Sequence, residues 1–142
     1  MAILVVGSVA FDTLASPSGK AENVLGGACT YFSLAASFFT EVRPIGVVGD
    51  DFTDAEEAVF RARGITTEGI ERVPGGKTFH WKGQYESENL NEAKTLATDL
   101  NVFAGFDPKI SGEFLNSEFL FLANIDPVLQ ANVRARMPHV KL

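Results

Sequence analysis

Three short apolar runs punctuate the chain: "AILVVGSV" from Ala2, "VRPIGVV" from Val42 and "FLFLAN" from Phe119. Each is rich in β-branched or aromatic residues and closes on glycine or polar groups, the pattern of a strand buried on both faces of a parallel sheet. From Ala28 to about Phe39, the spacing of Tyr31, Phe32, Leu34, Ala35, Phe38 and Phe39 predicts a helix that is apolar around most of its circumference. "DFTDAEEAVFRARGI" predicts a second helix, with Thr53 or Asp54 as N-cap, Glu56 and Glu57 in the first turn, Arg61 and Arg63 near the end, and Gly64 at the stop. A third is bounded by Pro127 and Pro138. Strand, helix, strand, helix implies parallel strands with crossover helices, an α/β fold.

Two stretches depart from that order. "DTLASPSGKAENVLGG" carries Pro17 and Gly19 between modest apolar pairs and predicts a turn or a strand-like excursion from the core. "GKTFHWKGQYESENL" alternates, with Phe79, Trp81 and Tyr85 on one face and Thr78, His80, Lys82 and Gln84 on the other. It predicts a half-exposed strand of an antiparallel set standing off the main sheet, with His80 on the solvent side. Asp107-Pro108 signals a turn, and "HVKL" begins what reads as a further strand, so the chain is expected to be an incomplete piece of a longer domain.

With 142 residues, 46% hydrophobic and 21% charged, the chain suits one globular domain. A net charge of −6 with no clustering of Lys and Arg argues against a nucleic-acid partner and favours a small molecule or a protein. The single Cys29 excludes an internal disulfide and a thiolate zinc site, reads as a small buried filler, and fits a cytoplasmic protein. The apolar start lacks a basic leader region and is too short to span a bilayer, so no membrane partner is expected. Asp50 and Asp51 are expected to cap and face solvent. His80 and His139 lack metal-ligand spacing, and no metal site is expected. "VVGSVAFD" lacks the later glycines of a dinucleotide fingerprint.

Gly26-Gly27 stand directly before the first helix. They read either as a tight turn or as a bare backbone that lets a ligand approach the helix N-terminus. Asp12 lies just past the first strand, and ligands of open α/β sheets collect outside the carboxyl ends of strands. Phe79, Trp81 and Tyr85 read as plain core, as a dimer face, or as a platform for a sugar ring.

In this order, "GSVAFD", "LGGACTYFSLAASF", "GVVGDDF", "RGITTEGI" and "GKTFHW" resemble the N-terminal half of the ribokinase-like (PfkB) carbohydrate kinases. The resemblance covers essentially the whole chain. It implies a mostly parallel sheet flanked by helices within one unit, 1–142. A small β lid, with strands near 13–25 and 76–87, would be inserted after the first and second sheet strands and would close over the sugar. Asp12 would receive substrate hydroxyls, Gly26 and Gly27 would let the sugar approach, Trp81 would cover it, and Asn124 would add a polar contact. ATP and Mg2+ are the implied cofactors, with sites mostly outside this chain.

Two positions depart from ribokinase and adenosine kinase, which carry Asn where this chain has Ala10 and Tyr31. Losing amides that read hydroxyls changes specificity strongly. The family's "D-T-x-G-A-G-D" motif, which holds the catalytic aspartate, is absent, and the late acids Asp107, Glu113, Glu118 and Asp126 lack a glycine-rich loop. The expectation is ATP-dependent phosphorylation of a hydroxyl of a sugar or related polyol, with this chain supplying the substrate half, no catalytic residue, and no activity alone. The alternatives are a nucleoside kinase and a truncated, non-catalytic module that binds a ligand or forms a homodimer through the lid.

Overall fold

A computed structural model describes residues 1–141. From the amino end the chain runs through β1 (Ala2–Val6), β2 (Ala10–Ser16), β3 (Gly19–Gly26), α1 (Ala28–Ala36), β4 (Glu41–Val48) and α2 (Asp54–Arg61). It continues through β5 (Ile70–Arg72), β6 (Phe79–Glu86), β7 (Asn89–Asp99), β8 (Phe119–Leu122) and α3 (Pro127–Arg136), with 3-10 turns at Asn101–Gly105 and Gly112–Asn116.

The first sheet has the order β5-β4-β1-β8 and is parallel throughout. Side chains alternate across it. Leu4, Val6, Ile45, Val47 and Leu120 pack with Val133 and Met137 in one cluster, while Val5, Val9, Val42 and Val48 pack with Cys29, Phe52 and Phe60 in another. Burial on both faces explains why these strands read as unbroken apolar runs. Lys141 extends the sheet beside β8 through a parallel bridge to Phe119.

Thr53 is the N-cap of α2 and Glu56 closes the capping box. Asp50 and Asp51 therefore do not cap. The Gly75 N–H donates to Asp50 (2.7 Å), and the Thr78 N–H (2.8 Å) and hydroxyl (2.6 Å) donate to Asp51, latching the 73–78 turn to the loop after β4. The first helix is also shorter than its apolar pattern predicts. It ends at Ala36, where the Ser37 hydroxyl donates to the Leu34 carbonyl (2.7 Å). Phe38 and Phe39 fall in the following turn, 70% and 86% exposed, and the Arg63 guanidinium lies over the Phe38 ring.

The second, outer sheet has the order β3-β2-β6-β7. The β2–β3 and β6–β7 pairs are antiparallel hairpins, but the central β2–β6 pairing is parallel, unlike the wholly antiparallel set predicted. Parallel β1 and β5 feed β2 and β6, so the two hairpins leave the first sheet in the same direction. The second hairpin follows β5, the third sheet strand in sequence and not the second. No helix among the described residues is long and apolar enough to cross a membrane.

Candidate functional site

The strand order places the site. From β1 the chain moves through β4 to β5 on one side and later returns to β8 on the other, so the direction of winding reverses at β1. Side connections diverge at such a point and leave a crevice at the carboxyl ends of the strands. Gly7-Ser8 follow the end of β1, and Ala123-Asn124 follow the end of β8. They pack so closely that a Cβ on Gly7 would come within 2.6 Å of Ala123 Cβ.

A cleft of about 280 Å³ opens there, lined by Ser8, Ala10, Asp12, Gly27, Ala28, Tyr31, Phe79, Trp81 and Asn124. Four of the five residues singled out in the sequence, Asp12, Gly27, Trp81 and Asn124, therefore share one wall system. Gly26 lies behind them, because a Cβ there would overlap the Asp12 carboxylate. Its bare backbone makes room for the acid. Gly27 is the N-cap of α1 at φ 95°, a conformation that favours glycine, and a Cβ would overlap the Ser8 carbonyl oxygen.

Ser8 is the residue that sequence reasoning missed. Its hydroxyl accepts from the Ala28 N–H (3.0 Å) and its carbonyl from the Cys29 N–H (2.9 Å). These two N–H groups at the start of α1 are thus bound within the protein, which supports the tight-turn reading of the glycine pair. The signal available was a serine immediately after a strand glycine, a residue type that accepts at helix starts.

Trp81 lies along its own sheet. A Cβ on Gly83 would overlap the indole ring, and the indole N–H donates to Thr95 Oγ1 (3.3 Å). Phe79 stacks on Phe103 with ring centroids 5.3 Å apart, and Phe103 stacks on Phe106 at 5.5 Å. This aromatic row leads to a second hollow of about 520 Å³, lined by Leu100, Phe103, Phe106, Asn124, Ile125, Asp126 and neighbours. Asn124 is common to both hollows.

Burial pushes the Asp12 carboxyl above its ordinary value, and the nearby His80 partly offsets the rise. Burial, with Asp12 and Tyr85 nearby, raises the Tyr31 phenol. Burial also pushes the Cys29 thiol up to about 12, so it is an inert packing group. His80 is not the solvent-side residue predicted. Only 26% of its side chain is exposed, and its Nε2 lies 3.0 Å from Thr13 Oγ1. Among the described residues, no group of three or more His, Cys, Asp or Glu side chains converges to hold a metal ion.

The fold, a parallel sheet overhung by a separate four-stranded sheet, is ribokinase-like, as its similarity to solved structures shows. No protein-family model and no curated protein matches the chain. Solved structures do. A nucleoside kinase of Burkholderia thailandensis in complex with inosine is similar at TM-score 0.77 and 14% identity over 96% of this chain and 50% of its own. For a Methanocaldococcus jannaschii nucleoside kinase, a member of the ribokinase family, the values are 0.72, 15%, 95% and 48%. For a Cryptococcus neoformans ribokinase in complex with ADP they are 0.73, 19%, 96% and 44%. The chain spans about half the length of these proteins.

Proposed function

We propose that the chain is the substrate-binding half of a kinase that phosphorylates a hydroxyl of a sugar, a related polyol or a nucleoside, using ATP. The carrying observation is the cleft itself: a half-buried carboxylate, Asp12, at the switch point, faced by Trp81, Phe79 and Tyr31. An ionised carboxylate accepts hydrogen bonds only, so it selects hydroxyl donors, and aromatic faces cover the apolar face of a sugar ring. Gly26 makes room for the Asp12 carboxylate, Gly27 turns the chain tightly into α1 beside the cleft, Asn124 offers both a donor and an acceptor, and the outer sheet acts as the lid. ATP and Mg2+ are the cofactors this reading implies. The residues of this chain bind and orient the acceptor hydroxyl.

The nucleoside form of the reading has its own support. The hollow beyond Asn124 is walled by Leu100, Phe103, Phe106 and Ile125 and adjoins the cleft, so a flat apolar substituent on a sugar has a place to go. Ala10 and Tyr31 replace two amides that would read hydroxyls. Such a wall favours ring surface over a fully hydroxylated sugar.

Titration calorimetry with inosine, adenosine, ribose and fructose tests this. Saturable binding that is lost in Asp12→Asn supports the substrate half, and a nucleoside preference of tenfold or more supports the second form. Binding that is indifferent to Asp12→Asn contradicts the assignment. Saturable binding without phosphoryl transfer by the full-length protein would favour a non-catalytic binding module.

A further inference from the structure

We propose that the Ser8 hydroxyl is a substrate-binding group, donating a hydrogen bond to an oxygen of the sugar that Asp12 holds. The inference rests on the reading of Asp12 as the substrate-binding acid, and adds Ser8 as the donor that complements it.

Ser8 stands two residues past the end of β1, on the wall of the switch-point cleft with Asp12, Gly27 and Asn124. It is only 4% exposed. Its side-chain oxygen accepts from the Ala28 N–H at 3.0 Å, and among the described residues the hydroxyl makes no other hydrogen bond. A serine hydroxyl carries one proton besides its two lone pairs, so the acceptor side is engaged and the proton is free. A buried donor without an acceptor is costly, and the cleft is where an acceptor can reach this one.

The bond from Ala28 prepares that proton in two ways. It holds the hydroxyl oxygen in place before a ligand arrives, so little freedom is lost on binding. It also polarises the O–H, because Ala28 opens α1, where the N–H groups carry the positive end of the helix dipole, and hydrogen bonds in series strengthen one another. The N–H groups of Ala28 and Cys29 are both spent on Ser8, on its hydroxyl and its carbonyl. What these two groups pass on to the cleft is therefore the serine proton.

The other donors of the wall are placed differently. The Trp81 indole N–H is committed to Thr95 Oγ1, and Tyr31 is 54% exposed, so solvent meets its hydroxyl. Asn124 is exposed as well. Ser8 is the buried donor, and an ionised Asp12 only accepts. Together they read a hydroxylated ring in both senses: one hydroxyl gives its proton to Asp12, and a sugar oxygen takes the proton of Ser8. With Ala10 and Tyr31 standing in place of two amides, Ser8 supplies a neutral donor that those amides would have given.

The test is a cycle between side chain and ligand. Titration calorimetry compares the wild type with Ser8→Ala, using inosine and its 2′-, 3′- and 5′-deoxy forms. Ser8→Ala is expected to bind inosine about fivefold more weakly than the wild type does, and to lose nothing towards the deoxy form that lacks the oxygen Ser8 meets. A serine that only caps α1 would weaken all of these ligands by the same factor, so equal losses overturn the proposal and leave the role of Asp12 standing. Absence of saturable, Asp12-dependent binding of inosine by the wild type overturns the reading of the cleft and the proposal with it. Should Ser8→Ala not fold, Ser8→Cys, which keeps the shape but donates weakly, carries the same comparison with the same outcomes.

Discussion

In the first sheet Leu4, Val5, Val6 and Val48 have no solvent exposure, whereas six of the eight residues of β3 and nine of the eleven of β7 are exposed. The first sheet is sandwiched between two apolar clusters with helices on both sides. The outer sheet stands on its backbone ladder, two hairpin roots and a few polar ties. Apolar burial at about 25 cal/mol per Å² therefore stabilises the body far more than the overhang. The difference teaches where motion resides: the overhang can open at a free energy below that of global unfolding, while the carboxyl ends of the first sheet stay fixed. Asp12 sits on β2, where the two regimes meet.

The comparison is sharpened most strongly by Phe60→Ala. Phe60 is wholly buried under the first sheet, and its truncation is expected to cost about 3–5 kcal/mol in urea unfolding. The same truncation at Leu90 on β7, 61% exposed, is expected to stay within about 0.5 kcal/mol. Equal losses would break the contrast.

Next in size is Gly27→Ala. It places a Cβ against the Ser8 carbonyl at a left-handed φ of 95°, and is expected to cost about 2 kcal/mol in the same assay. Ser8→Ala removes the hydroxyl acceptor of the Ala28 N–H and is expected to cost about 1 kcal/mol.

The smallest effect on stability and the largest on binding is expected for Asp12→Asn. A carboxyl whose folded pKa is raised contributes stability that is fully present below its ordinary value and lost as pH rises through the raised value. At neutral pH the charge is therefore a slight liability to the fold. The variant is expected to unfold slightly above the wild-type midpoint at pH 7, an advantage that disappears near pH 3, while ligand binding is lost. Thermal melts at the two pH values check the sign.

The first sheet was legible because burial on both faces leaves apolar runs, and α2 because Thr53, Glu56 and Gly64 mark its ends. The shortest strand, Ile70–Arg72, has three residues, too few to show a period. Strand Asn89–Asp99 is exposed on both faces and so carries no apolar alternation to read. Phe38 and Phe39 misled in the other direction, since exposed aromatics continue a helical spacing that the Ser37 cap ends. Of the five residues picked out through motif order, Asp12, Gly27, Trp81 and Asn124 line the cleft, and Gly26 lies behind Asp12. What the sequence hid was how they meet: Ser8 fixes the start of α1 through two hydrogen bonds, a product of pairing between residues distant along the chain.

The most direct test of the central claim, that the switch-point cleft takes the hydroxylated substrate, is to map amide and indole NMR shifts during titration with inosine and with ribose. The account predicts saturable shifts at Asp12, Gly27, Ala28, Asn124 and the Trp81 indole N–H, with the first sheet's buried strands unmoved. Saturable binding whose shifts avoid this cleft would contradict it.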